Sequence, residues 1–328
     1  MNTFNNVYVK NTSLVGGPIE SSSKYGDYFD KKYDSYYIDK SLEKSEVLMQ
    51  KDAIDILLDK ENLEKDYIDI FIGGDLSNQI CTSSYALNYY KRPFLGVFSA
   101  CASSNESIII GGSFIDNNLC NRVVCTTSSH NLNTEKQFRN PIEYGAFKKK
   151  TSTFTSTGAA SILLTNERTD VKVTSFTIGK VISLKQNDPN NMGAAMVPAA
   201  ANTIYRHLIE HNERVEDYDL ILTGDLGVYG SKILREYIKK EYGIVLGEKY
   251  NDCGAMLYDI KKHKEVHAGG SGPVCSTLIN YGYIYNLIKH KRLKKVLFVT
   301  TGALFSPTFL YQKEDILGIA HAISWEGI

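Results

Sequence analysis

The stretch Phe94-Leu95-Gly96-Val97-Phe98-Ser99-Ala100-Cys101-Ala102-Ser103-Ser104-Asn105-Glu106 decides the fold of this chain. An apolar run ends there in a turn of small residues. Ser103, with Glu106 three residues later, fits a capping box that begins a helix, and the apolar residues 108–110 would carry that helix into the core. The pattern predicts a buried strand, a tight elbow at Cys101 and a helix whose positive end lies beside the thiol.

The position of Cys101 at this elbow has two interpretations. A helix N-terminus lowers the pKa of a nearby thiol, which would make the cysteine reactive. A free cysteine is also among the most frequently buried residue types, which would make Cys101 a small core side chain. Placement alone leaves both interpretations open.

Two segments of the chain have similar sequences. Residues 67–76 read YIDIFIGGDL and residues 218–226 read YDLILTGDL, and both are short apolar runs that break at Gly-Asp-Leu. Each predicts a buried strand that meets a turn after a helical segment. Strands that alternate with helices imply βαβ crossovers and a mainly parallel sheet. A duplicated unit of about 150 residues therefore predicts two halves. These are residues 1–169, with an N-terminal surface excursion to about residue 45, and residues 170–328.

The composition excludes several classes of protein. Lys+Arg and Asp+Glu both number 37, and a net charge of zero argues against a nucleic-acid-binding protein. Six cysteines without C-x-x-C or zinc-site spacing predict free thiols in a reducing compartment. The sequence shows neither a secretory signal peptide nor an apolar stretch long enough to span a bilayer. We therefore expect any membrane role to be peripheral.

The elbow resembles the nucleophile elbow of the thiolase and ketoacyl-synthase superfamily, and the line Ser156–Leu164 looks like the strand that closes the first half in that family. The resemblance implies a thiolase-like α/β fold, in which two pseudo-repeated βαβ halves form a layered α-β-α-β-α sandwich. A condensing enzyme of this superfamily also needs a histidine and an asparagine or second histidine, which stabilise an oxyanion. This chain has Thr223–Gly230, with Asp225, and Gly269–Gly272 at those places.

These departures predict a binding protein without catalytic residues. An aspartate at position 225 would repel an oxyanion, and Gly269–Gly272 supplies neither an imidazole nor an amide side chain. The alternative is an acyl-transferring or condensing enzyme that uses Cys101 as its nucleophile.

A closer resemblance rests on eight short sequence motifs, which keep their order along the chain. They are Gly74–Gln79, Thr126–Asn131, Thr134–Gly145, Pro198–Ala201, Thr223–Leu226, Asp252–Gly254, Gly269–Gly272 and Thr301–Pro307. These lines resemble the stage V sporulation protein AD family. The chain departs from the family pattern at Pro273-Val274, where smaller residues are expected.

The closer resemblance implies a bacterial protein of the developing spore that is peripherally associated with the spore inner membrane. It implies the soluble component of a membrane protein complex that moves dipicolinic acid (pyridine-2,6-dicarboxylic acid), with its calcium, into the spore and out at germination. We expect no cofactor and no metal site. Because thiolase-fold proteins commonly dimerise, we also expect a homodimer, paired at a sheet edge near the strand Cys120–Thr127.

Dipicolinate is small, planar and dianionic, so helix N-termini and Gly/Ser loops could offer N–H groups to its carboxylates. We expect the binding residues in one cleft between the halves. They are Cys101, Ala102, Ser103, Ser128, His130, Lys136, Arg139, Asp225, Gly270 and Ser271.

The sequence gives alternative roles for several charged residues. Lys136 or Arg139 would neutralise the ligand, although Arg139 could equally pair with Glu143. Asp75 and Asp225 are expected to cap turns, unless calcium recruits them. His321 alternates with apolar neighbours near the C-terminus and is expected to be a core histidine.

Overall fold

The structure is a computed structural model that describes residues 2–138 and 148–328. An eleven-stranded sheet runs through the molecule, and a two-stranded sheet lies apart from it. The strands are β1 (Tyr8–Gly16), β2 (Lys31–Lys32), β3 (Ile70–Gly74), β4 (Phe94–Gly96), β5 (Arg122–Ser129), β6 (Phe154–Thr155), β7 (Gly158–Thr165), β8 (Val171–Thr177), β9 (Leu220–Thr223), β10 (Tyr250–Asp252), β11 (Gly270–Ser271), β12 (Lys295–Leu304) and β13 (Leu317–Gly327).

Helices cover both faces of the large sheet. They are α1 (Pro18–Ser21), α2 (Leu42–Lys60), α3 (Cys81–Leu87), α4 (Ser103–Asp116), α5 (Asn131–Phe138), α6 (Met192–His211), α7 (Gly227–Tyr242), α8 (Cys253–Leu257), α9 (Pro273–Thr277), α10 (Tyr285–Lys289) and α11 (Pro307–Tyr311). A π-helix, Leu278–Ile284, joins α9 to α10.

The two halves of the chain have the same strand order. The large sheet runs β10-β9-β12-β13-β8-β1-β7-β5-β3-β4, with β2 beside β1. Read outward from the centre, β8-β13-β12-β9-β10 in the second half mirrors β1-β7-β5-β3-β4 in the first. The two similar sequence segments contain β3 and β9, and these strands occupy equivalent places in the two halves. The halves meet where Tyr8 of β1 pairs with Lys172 of β8 in antiparallel register. The predicted division at residue 169 falls between β7 and β8 and stays a prediction.

Three apolar clusters show the layers. One cluster packs α2 and α3 on the outer face of β3, β5 and β7, and another packs α6 and α7 on the outer face of β9 and β12. The largest cluster lies between the halves, where α4, α9, the π-helix and α10 contact strands of both. This layering confirms the predicted thiolase-like α-β-α-β-α fold. The expectation of a mainly parallel sheet is wrong, because β7 and β13 each pair antiparallel with both of their neighbours.

The edges of the large sheet lie elsewhere than predicted. Strand β5, which contains most of the segment Cys120–Thr127, is interior, because β3 pairs with it on one side and β7 on the other. The described edges are β10 and β4. The expected pairing edge at Cys120–Thr127 is therefore wrong. Among the described residues, no helix has both the length and the apolar character that crossing a bilayer requires.

The β4 edge has the features of a pairing surface. Leu95 on β4 is 40% exposed, and Phe98 just beyond it is 49% exposed. Tyr85 on the neighbouring helix α3, and Tyr89 in the turn after it, are also exposed. Because β3 occupies one side of β4, the N–H and C=O groups on its other side point outward, and such an edge is a template for pairing with another strand.

We propose that β4 pairs with β4 of a second copy across a two-fold axis. A lysine at position 95 would face its own copy across that axis, so Leu95→Lys should convert a dimer into a monomer. Multi-angle light scattering should find about twice the chain mass of 36.7 kDa for the wild type and the single mass for the variant. Leu317→Lys is the matched control, because Leu317 is 39% exposed in the other half. A monomeric wild type, or a Leu95→Lys variant that stays dimeric, would refute this interface.

Candidate functional site

A cleft between the two halves has two compartments. The inner pocket, of about 50 Å³, is lined mainly by apolar side chains, with Cys101, Asp225 and Ser271 at its base. The outer groove, of about 690 Å³, opens to the surface, and among residues 2–138 and 148–328 its polar lining is uncharged: Ser77, Asn78, Gln79, Gln137, Ser306 and Thr308. Leu76, Phe98, Phe138 and Phe305 line both compartments. The inner pocket has room for a few atoms, whereas the groove has the size of a small-molecule site.

The elbow that presents Cys101 is a tight, strained turn. Ala100 has a φ of 51°, which is uncommon for a residue with a side chain. The N–H of Ala102 donates to the carbonyl of Ser99 at 3.0 Å, and the N–H of Ser99 donates to Ser103 Oγ at 2.9 Å. The turn therefore closes on itself and fixes the cysteine at the head of α4.

The predicted capping box at the start of α4 is wrong. The N-cap residue is Ala102, which makes no side-chain cap. Ser103 Oγ is occupied inside the elbow, where it also donates to the carbonyl of Ala100 at 2.8 Å, and the Glu106 carboxyl accepts from Ser99 instead. The helix begins where predicted, but the tight turn rather than a cap sets its first residue.

Asp225 is the direct neighbour of Cys101. It is fully buried, and its carboxyl group hydrogen-bonds to the Cys101 thiol. Thr301 Oγ1 donates to Asp225 Oδ1 at 2.7 Å, and the N–H of Gly272 donates to Oδ2 at 3.2 Å. The carboxyl group thus hydrogen-bonds to the elbow, to β12 and to the loop Gly269–Gly272, all within the cleft.

The electrostatics of this pair oppose thiolate formation. Burial raises the pKa of the Cys101 thiol well above its ordinary value, and the adjacent Asp225 raises it further. The helix N-terminus does not overcome these two effects, so of the two interpretations of Cys101 the structure favours the inert thiol.

Burial also raises the pKa of Asp225 to about 7, although its hydrogen bonds favour the ionised form. Asp252, which is buried nearby, adds like-charge repulsion. The N–H groups of Leu226 and Gly227, at 2.9 and 2.8 Å, donate to Asp252. Asp252 is therefore the residue that caps α7. The expectation that Asp225 caps this turn is wrong, whereas Asp75 does cap its turn by accepting from the N–H of Ser77 and of Ser83.

The other predicted binding residues lie in five different places. Ala102 and Ser103 are buried in the elbow behind Cys101. Gly270 lies behind Ser271, where a Cβ atom would approach Cys275 Sγ to 2.6 Å. Lys136 points away from the cleft, because its Nζ pairs with Glu43 of α2. Ser128 Oγ donates to Glu46 of α2 at 3.0 Å, His130 contacts the carbonyl of Tyr36, and Arg139 lies outside the described residues.

The two histidines singled out in the sequence are both buried. His130 Nε2 lies 2.9 Å from the carbonyl oxygen of Tyr36, away from the cleft lining. His321 Nδ1 accepts from the N–H of Gly179 at 3.2 Å, and burial lowers its pKa to about 4. The expectation that His321 is a core histidine is confirmed.

The sequence did not identify the apolar wall of the cleft. Phe138 and Phe305 pack edge to face, with ring centroids 6.1 Å apart, and Met192 and Met196 of α6 complete the inner pocket. Phe138 falls within the sequence motif Thr134–Gly145, and Phe305 falls within the motif Thr301–Pro307. These two motifs were the sequence signal that could have identified the apolar wall. Among the described residues, no group of three or more histidine, cysteine, aspartate or glutamate side chains is arranged to hold a metal ion.

Comparison with known proteins gives one family and one fold. The sequence profile of the family described as Stage V sporulation protein AD (SpoVAD) matches residues 1–326. The chain is 41% identical over 321 residues to the Stage V sporulation protein AD of Bacillus subtilis (strain 168), which covers 98% of this chain and 94% of that protein.

Solved structures with a similar fold are condensing enzymes. An OleA variant from Xanthomonas campestris superposes with a TM-score of 0.66 at 11% identity, covering 98% of this chain and 97% of that one. The 3-oxoacyl-[acyl-carrier-protein] synthase III of Aquifex aeolicus VF5 superposes with a TM-score of 0.59 at 11% identity, covering 98% and 99%. At such low identity these likenesses show the fold alone.

We expect Cys101 to behave as an inert thiol because Asp225 opposes its ionisation. Cys101 and Cys81 are both partly exposed, but burial and Asp225 raise the pKa of Cys101 well above its ordinary value, so iodoacetamide should modify Cys101 more slowly than Cys81 in the wild-type protein. Asp225→Asn removes the neighbouring charge and should speed modification of Cys101, by about tenfold for each unit by which the thiol pKa falls. Peptide mass spectrometry measures both rates.

Asp34→Asn, at an exposed position, is the charge-matched control. Wild-type Cys101 that reacts as fast as Cys81, or that takes up an acyl group from acyl-CoA, would contradict this expectation and favour the condensing enzyme.

Proposed function

The chain belongs to the stage V sporulation protein AD family, and on that premise we propose that it is a non-catalytic binding protein for dipicolinic acid. We propose that the ligand is its calcium chelate, and that the protein is the soluble component of a spore membrane transport complex. The observation that carries the proposal is the buried carboxyl of Asp225 on Cys101, at the base of a cleft with an uncharged, aromatic outer groove.

The cleft suits a small planar ring. Phe98, Phe138 and Phe305 line the passage between groove and inner pocket, and aromatic side chains favour stacked or edge-on contacts with another ring. Because the inner pocket has only about 50 Å³, the ring would lie in the groove with one polar edge directed toward Asp225 and Ser271.

The charge of the cleft favours the chelate over the free acid. Dipicolinate alone carries two negative charges and would meet the Asp225 carboxyl at the base of the pocket. Its complex with calcium is neutral overall, and calcium accepts carboxylate oxygens as ligands. Asp225 could then contact the metal that the ligand brings, without a metal site built by the protein.

The same pair of residues argues against catalysis. A condensing reaction requires a thiolate and donors that stabilise an oxyanion. Here burial and Asp225 hold the thiol protonated, and a carboxyl group occupies the place where a donor is needed. The alternative, an acyl-transferring enzyme that uses Cys101, rests on the fold likeness.

We expect calorimetric titration to detect saturable binding of calcium dipicolinate, and no binding of calcium phthalate or of calcium alone. If the metal faces Asp225, ligand binding stabilises the ionised carboxyl and releases its proton. Affinity should therefore rise with pH up to about 7, by at most about tenfold per pH unit, and Asp225→Asn should abolish this dependence.

An affinity that falls as the pH rises would identify free dipicolinate, rather than its calcium chelate, as the ligand. Free dipicolinate would require a neutral Asp225, so its affinity would fall as the pH rises through the pKa of that group. Tighter binding without calcium, with this falling profile, would contradict the chelate. No heat with either form would overturn the binding function and leave the fold likeness only.

Membrane partners are part of this proposal, and the rim of the cleft offers a surface for them. Val181 and Leu184 are 53% and 52% exposed, and Phe309 and Tyr311 on α11 are 58% and 75% exposed. The backbone of Ile182 pairs with that of Gly318, and the N–H of Ile316 donates to the carbonyl of Gln186, so residues 182–186 run beside the segment that follows α11. Exposed apolar side chains grouped in this way favour a protein or membrane contact.

We expect Val181→Asp to reduce sedimentation of the protein with membranes from sporulating cells several-fold, because it places a charge within the apolar rim. Val245→Asp, at a residue 61% exposed on the loop after α7, is the matched control and should sediment like the wild type. Equal sedimentation of both variants would remove this rim as the contact surface.

A further inference from the structure

Three chain segments form one continuous surface beside the mouth of the cleft. We call it the rim surface, and it consists of residues 148–151, 178–190 and 307–317. The N–H of Ile316 donates to the carbonyl of Gln186 at 2.7 Å, so the second and third segments run side by side. The hydroxyl of Thr151 donates to the carbonyl of Asn190 at 2.7 Å, which places the first segment beside the second.

Large apolar side chains on the rim surface face solvent. Ile178, Val181 and Leu184, at intervals of three residues, are each more than half exposed. Phe309 and Tyr311 on α11 are exposed to a greater extent. Contact of apolar side chains with water is unfavourable, and a grouped set of them is typical of a surface that a partner covers.

Lysines are interleaved with these apolar residues. Along the second segment the order of exposed residues is Ile178, Lys180, Val181, Leu184 and Lys185. Four exposed lysines of the rim surface have no ion-pair partner among residues 2–138 and 148–328. They are Lys150, Lys180, Lys185 and Lys313.

The acids of the rim surface leave an excess of positive charge. The three segments contain six lysines and three acids, whereas the whole chain has no net charge. Lys148 pairs with Glu135 of α5, and Lys149 pairs with Asp188. The other two acids, Glu314 and Asp315, lie in the turn after α11. Four unpaired lysines therefore stand against two acids on this surface.

The mixture of lysines and apolar residues favours a lipid surface over a protein partner. Lysine is depleted in the cores of protein–protein interfaces, because burial of its charge is costly. At a membrane, the long lysine side chain keeps its ammonium group among the headgroups while apolar neighbours enter the boundary with the acyl chains. Aromatic residues such as Phe309 and Tyr311 suit the same boundary.

We propose that the rim surface binds directly to a membrane that contains anionic phospholipids. The exposed apolar residues insert at the boundary between headgroups and acyl chains, and the unpaired lysines contact the headgroup phosphates. Stable peripheral binding generally requires two such contributions, because either one alone gives a weak and reversible association. Both contributions are present on this one surface.

This contact directs the mouth of the cleft toward the membrane. Pro307 and Thr308 begin α11 and also line the outer groove. Phe305, two residues before α11, lines both compartments of the cleft. A protein bound through the rim surface therefore takes up and releases its ligand next to the lipid. This consequence rests on the proposed binding function, whereas the lipid contact itself does not.

Sedimentation with protein-free vesicles tests the lipid contact without dipicolinate and without membrane proteins. The wild-type chain should sediment with phosphatidylcholine vesicles that contain about one third phosphatidylglycerol, and it should stay in solution with pure phosphatidylcholine. Binding should weaken as salt is added, because the Debye length falls from about 10 Å at 0.1 M to about 3 Å at 1 M.

Lysine variants test the electrostatic contribution. Lys180→Gln combined with Lys185→Gln should lower the affinity for anionic vesicles about fivefold for each lysine removed. Lys291→Gln combined with Lys294→Gln is the matched control and should bind like the wild type. Both control lysines are exposed and precede β12, at the end of that strand opposite to α11. Lys291 also has the same φ of 57° as Lys185.

A leucine variant tests the apolar contribution. Leu184→Gln removes an apolar side chain from the rim surface and should weaken binding to anionic vesicles several-fold. Leu119→Gln, at a residue that is 70% exposed after α4, is its control and should bind like the wild type.

Three results would overturn the lipid contact: no sedimentation with anionic vesicles, equal sedimentation with neutral and anionic vesicles, or equal losses in the two double lysine variants. Sedimentation with membranes from sporulating cells but not with protein-free vesicles would identify a membrane protein as the partner instead. Calorimetric titration with calcium dipicolinate is a separate measurement, so failure of the lipid contact and failure of the proposed function are distinguishable.

Discussion

Buried carboxyl groups at the carboxyl ends of parallel strands are the constraint on which this cleft depends. Asp75 follows β3, Asp225 follows β9, and Asp252 ends β10, and all three are fully buried. Each must collect donors, and the nearest donors are the N–H groups at the start of the next helix and the hydroxyls of neighbouring strands. The helices and loops around the cleft are therefore positioned by the need to satisfy these acids.

Duplication allowed the two equivalent aspartates to take different roles. Asp75 keeps the local role, accepting N–H groups at the start of α3. In the second half, Asp252 supplies the cap for α7 and α8, so Asp225 is released from that task. Asp225 instead spans the interface between the halves, through Cys101 on one side and Thr301 on the other. One half thus keeps a structural acid where the other places an acid against Cys101 in the cleft.

The sequence predicted the parts of the fold that local patterns determine. The apolar run before Cys101, the two Gly-Asp-Leu landmarks and the alternation of strands and helices were sufficient for the layered halves. Side-chain directions were not predictable. Lys136 pairs with Glu43, 93 positions away in sequence, and Ser128 faces Glu46 because α2 packs against β5. Such contacts depend on tertiary packing, which no short motif encodes. The sheet edge was misplaced for the same reason, because strand order is a long-range property.

Asp225 is the side chain of the cleft that most affects the chemistry of Cys101. Asp225 faces the pocket and opposes the thiolate, so the feature that would interfere with condensation is also the feature available to a ligand-borne cation. In a condensing enzyme this acid would be a cost, because an oxyanion site needs hydrogen-bond donors. For the binding function proposed above, an acidic group in the cleft suits a ligand that brings its own cation.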